Sequence, residues 1–157
     1  MNPDFEAEFT AFFDSAERKL RQALGSAFGK EAGREATADS LAWAWQNWGR
    51  LRSMDNQIGY LYRVGRSLAL KSLDPERDGS GNPPVATVEL PDFEPSLGHY
   101  LGDLSENQRI AVWMVHGLGF PQTEVAELLG CSAASVATHV RRALAKLRHD
   151  LEVGTDG

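Results

Sequence analysis

One segment near the C-terminus of this 157-residue chain combines basic, hydroxyl-bearing and very small side chains. From Ser135 to His149 it holds four Lys or Arg residues and no Asp or Glu. Apolar residues recur through the segment at helical spacing, so we expect a helix with one buried face and one open face. Small residues near the start of such a helix let its backbone approach the major groove of DNA, and Ser, Thr and Arg donate hydrogen bonds to base edges and phosphates. The residues predicted to contact duplex DNA are Ala134, Ser135, Ala137, Thr138, His139, Arg141 and Arg142.

The residues ahead of this segment predict another helix, joined to it by a tight turn. Gly130 can adopt the left-handed conformation that ends a helix, and Ser132 can cap the helix that follows. This spacing is typical of helix-turn-helix proteins, which place the second helix in the major groove. A plain three-helix core with a solvated basic face would have the same pattern, so the segment alone leaves both interpretations open.

No group of residues in the sequence indicates catalysis, a metal site or a bound cofactor. The four histidines lack metal-ligand spacing, and the single cysteine, Cys131, excludes an intrachain disulfide and a CxxC pair. We find no nucleophile with its base, no phosphate-binding loop and no paired carboxylates. No apolar run is long enough to span a bilayer, and the acidic start of the chain is unlike a signal peptide. We therefore expect a cytoplasmic protein that is not an enzyme, needs no cofactor and does not insert into membranes.

Helical periodicity on both sides of a proline-rich stretch predicts an all-α fold. Apolar residues spaced by three and four run over residues 5–28, and similar stripes predict helices over about 34–48 and 57–73. After the stretch, Ser105 and Gln108 have the spacing of a capping box at the start of a helix. The sequence shows no strand pattern.

The stretch between the two helical parts is acidic and unsuited to a helix. Residues 74–95 hold one basic residue, Arg77, against six acids, and the net charge of the whole chain is −6. Five of the seven prolines also lie there, with little apolar content for a core. We predict two small helical domains, over 1–73 and 97–153, joined by a flexible acidic linker over 74–96.

Two longer motifs resemble a known family. "LSENQRIAVWMVHGLGFPQTEVAELLGCSAASVATHVRRALAKLRHDLE" resembles region 4 of bacterial sigma factors of the extracytoplasmic-function (ECF) group. The resemblance lies in the Leu-x-x-x-Gln-Arg opening, the Glu-Val-Ala-Glu-Leu-Leu-Gly helix and the Val-Ala-Thr-His-Val-Arg-Arg-Ala helix. "REATADSLAWAWQNWGRLRSMDNQIGYLYRVGRSLAL" resembles region 2 of the same family, with an acidic residue leading into an Ala-Trp helix and then Tyr-Leu-Tyr-Arg-Val-x-Arg. The two motifs in this order agree with the two predicted domains.

The resemblance implies a protein that binds core RNA polymerase and directs it to promoter DNA. In the family, region 2 docks on the polymerase clamp and captures melted downstream promoter DNA. Region 4 sits on the flap and reads the upstream duplex. The polymerase contacts implied for this chain are Glu35, Asp39, Leu41 and Trp45. The residues implied for melted DNA are Tyr60, Tyr62, Arg63, Arg66, Ser67 and Lys71, which include the aromatic and cationic side chains that hold single strands generally.

Two departures from the family pattern bear on promoter recognition. The family usually has Asn where Ser67 stands and a basic cluster after that helix, of which Lys71 and Arg77 remain. Its recognition helix usually carries Lys or Arg near Ala137 and His139. These losses predict a weak or unusual promoter reader, or one that depends on a partner.

Two other interpretations stay open at this point. The chain could be a helix-turn-helix transcriptional regulator with an N-terminal sensor or dimerisation domain, which would bind paired half-sites without polymerase. It could also be a family member that binds polymerase but no longer reads promoters. The resemblance adds one further candidate partner, an anti-sigma protein wedged between the two domains.

Overall fold

Helices make up the secondary structure of the described residues. The computed structural model describes residues 3–74 and 100–155 and contains no strand among them. The all-α prediction is confirmed for this part of the chain. Of the predicted linker over 74–96, only Asp74 lies within the described residues, so the linker stays a prediction.

The N-terminal half, residues 3–74, contains four helices. They are α1 at Pro3–Phe28, α2 at Lys30–Gln46, α3 at Trp48–Leu51 and α4 at Gln57–Leu73. The bounds of α4 agree with the prediction over 57–73. The helix predicted from about residue 34 begins earlier, because Gly29 at φ 99° turns the chain directly from α1 into α2.

α1 and α2 approach most closely at two glycines. A β-carbon on Gly33 of α2 would lie 2.7 Å from the carbonyl carbon of Leu24 in α1 and would overlap the backbone of Gly25. Only a residue without a side chain fits there. Leu24 is fully buried, and its side chain also lies against Gly65 of α4. Leu24 therefore joins α1 to both α2 and α4.

The C-terminal half, residues 100–155, contains the predicted helix-turn-helix. Its elements are α5 at Glu106–Val112, a π-helical turn at Trp113–Gly117, α6 at Gln122–Leu129 and α7 at Ala133–Thr155. Residues 100–102, ahead of α5, are also helical.

The predicted helix ends of the C-terminal half are confirmed. Ser105 and Gln108 form a capping box, in which the Gln108 N–H donates to the Ser105 hydroxyl oxygen at 3.2 Å. Gly130 ends α6 in the left-handed conformation, at φ 69°. The Ser132 hydroxyl oxygen accepts from the Ser135 N–H at 3.0 Å and so caps α7. Pro121 lies at the position just before α6.

The two halves pack against each other around one continuous hydrophobic core. Trp113 of the π-helical turn is buried, and its Nε1–H donates to the Oε1 of Gln22 in α1 at 3.1 Å. The Asn56 side chain, just before α4, donates to the carbonyl oxygen of Glu127 in α6 at 2.8 Å. Periodicity predicts which face of a helix is buried but not which element covers it, so the sequence did not predict this packing.

We predict that Gly33→Ala lowers the free energy of unfolding by about 2–3 kcal/mol, because the added methyl group forces α1 and α2 apart. The measurement is urea unfolding followed by far-UV circular dichroism. Gly49→Ala is the matched control, since a β-carbon at Gly49 meets no atom within 4 Å. The control should be neutral or raise stability by up to about 1 kcal/mol. Equal effects of the two substitutions would contradict the close packing of α1 on α2.

Candidate nucleic-acid and polymerase interfaces

The first half of α7 presents a basic surface to solvent. Arg141 and Arg142 are exposed, as is Ala134 near the start of the helix. Val136 and Val140 point the other way and are buried in the core. The backbone at the start of α7 is therefore accessible, and two cations follow it along the same open side. This is the arrangement that a recognition helix needs to enter a major groove.

The remaining predicted duplex contacts are half-buried. They are Ser135, Ala137, Thr138 and His139. The Thr138 hydroxyl donates to the carbonyl oxygen four residues earlier at 3.1 Å, and the Ser135 hydroxyl oxygen accepts from the Ser132 hydroxyl at 3.0 Å. Each hydroxyl keeps hydrogen-bonding capacity for a base edge. His139 differs from the others, because it lines a cleft of about 560 Å³ between the two halves.

The six residues implied for melted DNA lie on two different faces of α4. At about 100° per residue, four of them fall on one stripe of the helix. That stripe is Tyr60, Arg63, Ser67 and Lys71. Its last three members are exposed and Tyr60 is half-buried. Tyr62 and Arg66 project from another face, toward the C-terminal half.

Tyr62 and Arg66 are both bound by Glu106, the first residue of α5. The Tyr62 hydroxyl donates to Glu106 Oε1 at 2.9 Å, and Arg66 Nε donates to Oε1 and Oε2 at 2.8 and 3.0 Å. Tyr62 is 5% exposed and Glu106 is 8% exposed. We name these three residues the Glu106 cluster. The expectation that Tyr62 contacts DNA is not met in this arrangement, because the C-terminal half covers its ring.

The Glu106 cluster changes the ionisation of its members. Burial, together with the negative charge of Glu106, raises the pKa of Tyr62 well above its usual value. The hydrogen bond to Glu106 raises the pKa of Arg66. Within this cluster the phenol therefore stays protonated and the guanidinium stays charged at neutral pH.

An aromatic platform beside the α4 stripe was missed at the sequence level. The rings of Trp43 and Tyr60 lie 5.6 Å apart with an interplanar angle of 34°. The Arg50 and Arg63 guanidinium carbons lie 6.0 and 5.8 Å from the centre of the Tyr60 ring. The structure buries Trp48 and leaves Trp43 half-exposed.

The residues implied for polymerase binding surround a groove between α1 and α2. Leu41 and Trp45 line this groove of about 400 Å³, together with Phe9 and Phe13 of α1. Trp45 is half-buried, and its ring lies 5.0 Å from that of Phe9. Leu41 is buried, so a partner would reach it only as part of the groove wall. Beside the groove-lining residues of α2 lie two exposed carboxylates, Glu35 and Asp39.

A second apolar surface lies on the C-terminal half of α7. Leu144 and Leu151 are large apolar side chains left exposed, the latter at 45%. With Leu147 they line a shallow groove of about 520 Å³. Their spacing of three and four residues places them on one face of the helix. The sequence indicates apolar periodicity in this helix. It does not predict that no other element among residues 3–74 and 100–155 covers the apolar face at the C-terminal end of the helix.

The described residues hold few groups suited to other chemistry. Residues 3–74 and 100–155 contain no cluster of three or more His, Cys, Asp or Glu side chains placed to hold a metal ion. No helix within those residues is long and apolar enough to cross a membrane. The Cys131 thiol is free and half-buried, and burial raises its pKa, which lowers its reactivity.

Comparison with known proteins agrees with the geometry. Residues 96–147 match the family model of sigma-70, region 4. The structure is similar to that of the sigma factor RpoE from Bartonella quintana, which was solved in complex with the anti-sigma factor NepR. The TM-score is 0.60 and the sequence identity is 20%, and the match covers 93% of this chain and 98% of that chain. It is also similar to CnrH, solved in complex with the cytosolic domain of CnrY, with a TM-score of 0.60 and 24% identity over 94% of this chain and 90% of that chain. No curated protein matches the sequence. The region 4 match confirms the resemblance for the C-terminal half, and the solved structures show that residues 3–74 and 100–155 together have the sigma-factor fold.

We predict that the free energy of unfolding falls as pH rises above about 10, the usual pKa of a tyrosine in an unfolded chain. A raised pKa in the folded state means that the contribution of Tyr62 is fully present below that pH and is lost as the pH rises toward the folded value. The loss is up to about 1.4 kcal/mol per pH unit. Urea unfolding at several values between pH 8 and 11 measures it. Tyr62→Phe should flatten this dependence, and an identical dependence in both proteins would contradict the burial of Tyr62.

Proposed function

We infer that this chain, which has the fold of a sigma factor and a sigma-70 region 4, is a sigma factor of the ECF type. It binds core RNA polymerase and directs it to promoters, where transcription begins. The observation that carries this function is the pairing of two different nucleic-acid surfaces on one chain. One surface is the basic start of α7, suited to duplex DNA, and the other is the aromatic and cationic face of α4, suited to a single strand.

The upstream promoter element is read by α7 in this proposal. Arg141 and Arg142 contact phosphates and fix the position of the helix, because exposed guanidinium groups bind phosphate oxygens with charge-assisted hydrogen bonds. Ala134, Ser135, Ala137 and Thr138 face the bases. Few of these side chains discriminate bases strongly, so backbone position and DNA shape contribute much of the specificity.

Melted promoter DNA binds along the exposed stripe of α4 and the aromatic platform. An unstacked base lies against the Trp43 and Tyr60 rings, while Arg50, Arg63 and Lys71 pair with the backbone. Support for this comes from the 5.6 Å spacing of the two rings and from the cations that flank Tyr60. Ser67 lies in the same stripe, where its short hydroxyl supplies one weak contact.

Core polymerase binds across the groove between α1 and α2. A partner helix can bury apolar side chains against Phe9, Phe13 and Trp45, while Glu35 and Asp39 pair with its basic residues. The exposed apolar face of α7 around Leu144 and Leu151 serves as a second polymerase contact. Two separate contacts fit two domains, 1–73 and 97–153, that share one linker over 74–96.

An anti-sigma protein is a candidate regulator of this chain. The similar structures of RpoE and CnrH were solved as complexes with NepR and with the cytosolic domain of CnrY. The groove between α1 and α2 and the apolar face of α7 are the surfaces that such a protein would cover.

We predict that the double substitution Arg141→Ala, Arg142→Ala lowers run-off transcription from a cognate promoter by roughly tenfold, because two phosphate contacts are lost. The promoter is first identified by sequencing DNA that co-purifies with the chain and core polymerase. Binding to core polymerase should be unchanged. Lys30→Ala is the control, since Lys30 is an exposed cation on the other half. Unchanged transcription by the double variant would count against α7 as the upstream reader, and DNA binding by a symmetric dimer without polymerase would favour the regulator interpretation.

We also predict that Trp43→Ala lowers the fraction of open promoter complexes by roughly tenfold, since stacking on one base contributes about 1–3 kcal/mol. Permanganate reactivity of unpaired thymines measures this fraction. Trp43→Phe should restore most of it, because the ring is kept. Trp45→Ala is expected to weaken binding to core polymerase instead. If Trp43→Ala left melting intact while the chain stayed folded, the aromatic platform would not be a base-binding site.

A further inference from the structure

The cleft between α4 and the C-terminal half has the size of a small-molecule site. Its volume is about 560 Å³, within the range of pockets that bind small ligands in proteins. The α4 wall carries Tyr62, Arg63 and Arg66. The opposite wall is formed by five residues of the C-terminal half, which are Ser105, Glu106, Asn107, Leu129 and His139. The cleft is therefore built from both halves, and neither half contains it alone.

The charges that line the cleft favour an anionic ligand. Two guanidinium groups face one carboxylate, that of Glu106. Both oxygens of Glu106 accept hydrogen bonds from Arg66, at 2.8 and 3.0 Å, so these two charges offset each other. Arg66 is held in place by the same contact, with 23% of its side chain exposed. The positive charge that no carboxylate of the cleft offsets is that of Arg63.

Arg63 and His139 bring unused hydrogen-bonding groups to opposite walls of the cleft. Arg63 is exposed, and its guanidinium carbon lies 5.8 Å from the centre of the Tyr60 ring, a contact that leaves the N–H groups able to donate. His139 is half-buried. Within residues 3–74 and 100–155, neither side chain has a hydrogen-bond or ion-pair partner. A half-buried imidazole on a cleft wall is a group that a bound ligand can satisfy.

The remaining groups of the C-terminal wall suit an uncharged polar ring. Leu129 is half-buried and offers an apolar surface to the flat side of a ring. The exposed Asn107 amide carries a donor and an acceptor, the pair of groups that the edge of a nucleobase requires. The Ser105 hydroxyl oxygen accepts from the Gln108 N–H at 3.2 Å and keeps its own proton for donation. The cleft thus combines groups for an anion with groups for a heterocycle.

We propose that the cleft binds a free nucleoside 5′-monophosphate. The phosphate lies between Arg63 and His139, because guanidinium and imidazole N–H groups donate to phosphate oxygens. The base packs on Leu129 and pairs with the Asn107 amide. Arg66, fixed by Glu106, adds its positive charge near the phosphate. The proposal goes beyond the proposed function and does not depend on it, since this site needs neither polymerase nor promoter DNA.

Calorimetric titration of the full-length chain tests the proposal. The probes are the 5′-monophosphates of adenosine, guanosine, cytidine and uridine, each compared with its nucleoside and with inorganic phosphate. At least one monophosphate should bind one-to-one with a dissociation constant of roughly 10–100 µM. Its nucleoside and inorganic phosphate should each bind at least about tenfold more weakly, because each makes only part of the contacts. Backbone amide chemical shifts should change mainly at the residues that line the cleft.

Substitutions in the two walls identify the phosphate contacts. Arg63→Gln and His139→Ala should each weaken binding of the monophosphate roughly tenfold, since each removes a hydrogen bond to a charged group. Lys30→Gln is the matched control for Arg63→Gln, because it removes one exposed positive charge from the same half at a position outside the cleft. The control should bind as the wild-type chain does. Far-UV circular dichroism verifies that the helices of each variant remain.

A longer probe distinguishes a free nucleotide from the end of a nucleic-acid strand, which has the same phosphate chemistry. A 5′-phosphorylated trinucleotide is titrated into Trp43→Ala, in which the aromatic platform is removed. It should bind no more tightly than the best monophosphate, because the cleft has room for one nucleotide. Tighter binding of the trinucleotide would overturn the proposal and assign the cleft to a strand end.

Four further results would overturn the proposal. They are the absence of binding by all four monophosphates, equal binding of the matching nucleoside or of inorganic phosphate, wild-type affinity in both Arg63→Gln and His139→Ala, and loss of nucleotide binding in Trp43→Ala. The last result would place the nucleotide on the aromatic platform instead of in the cleft.

Discussion

The arrangement of the two halves depends on one buried carboxylate. Glu106, the first residue of α5, lies against α4 with Tyr62 and Arg66 as its partners. A carboxylate so far from water is stable only while it is paired and hydrogen-bonded, so its partners and the orientation of α5 on α4 are fixed together. Arg109, one turn later, fixes the same helix to the end of α1. A few polar atoms thus fix how the two halves meet around one shared hydrophobic core.

This constraint explains why the α4 helix has two distinct functional faces. One face carries Arg63, Ser67 and Lys71 into solvent, and the other carries Tyr62 and Arg66 into the interface. The first face is open to a ligand in solution, whereas the C-terminal half covers the second. The same helix therefore carries the proposed DNA surface on one side and the contact with the C-terminal half on the other.

Much of the fold followed from local signals in the sequence. The bounds of α4, the Ser105 capping box, the left-handed Gly130 and the outward position of Arg141 all depend on short-range geometry. The early start of α2 was missed because it depends on the turn at Gly29 together with the packing of Gly33 on Gly25, which is a tertiary contact. The aromatic platform was missed for a similar reason. Trp43 and Tyr60 are 17 positions apart, and no periodicity within one helix reveals that their rings meet.

The burial of Tyr62 could not be predicted from the sequence. Its partner is 44 residues away across the acidic stretch, and the motif around it points to DNA. Only the docking of the halves changes its environment. The residues that the sequence did not predict are therefore those at which one element covers another. There, packing between distant parts of the chain determines burial, and the local sequence pattern does not.

Energy transfer between one dye on each half, recorded before and after the addition of core RNA polymerase, tests the account most directly. We predict high transfer in the free chain, since the halves share one core, and a marked fall when polymerase binds and holds them at separate sites. The prediction does not need the energy transfer to fall further when promoter DNA is added. High transfer that persists in the polymerase complex, or the absence of any complex, would contradict the account.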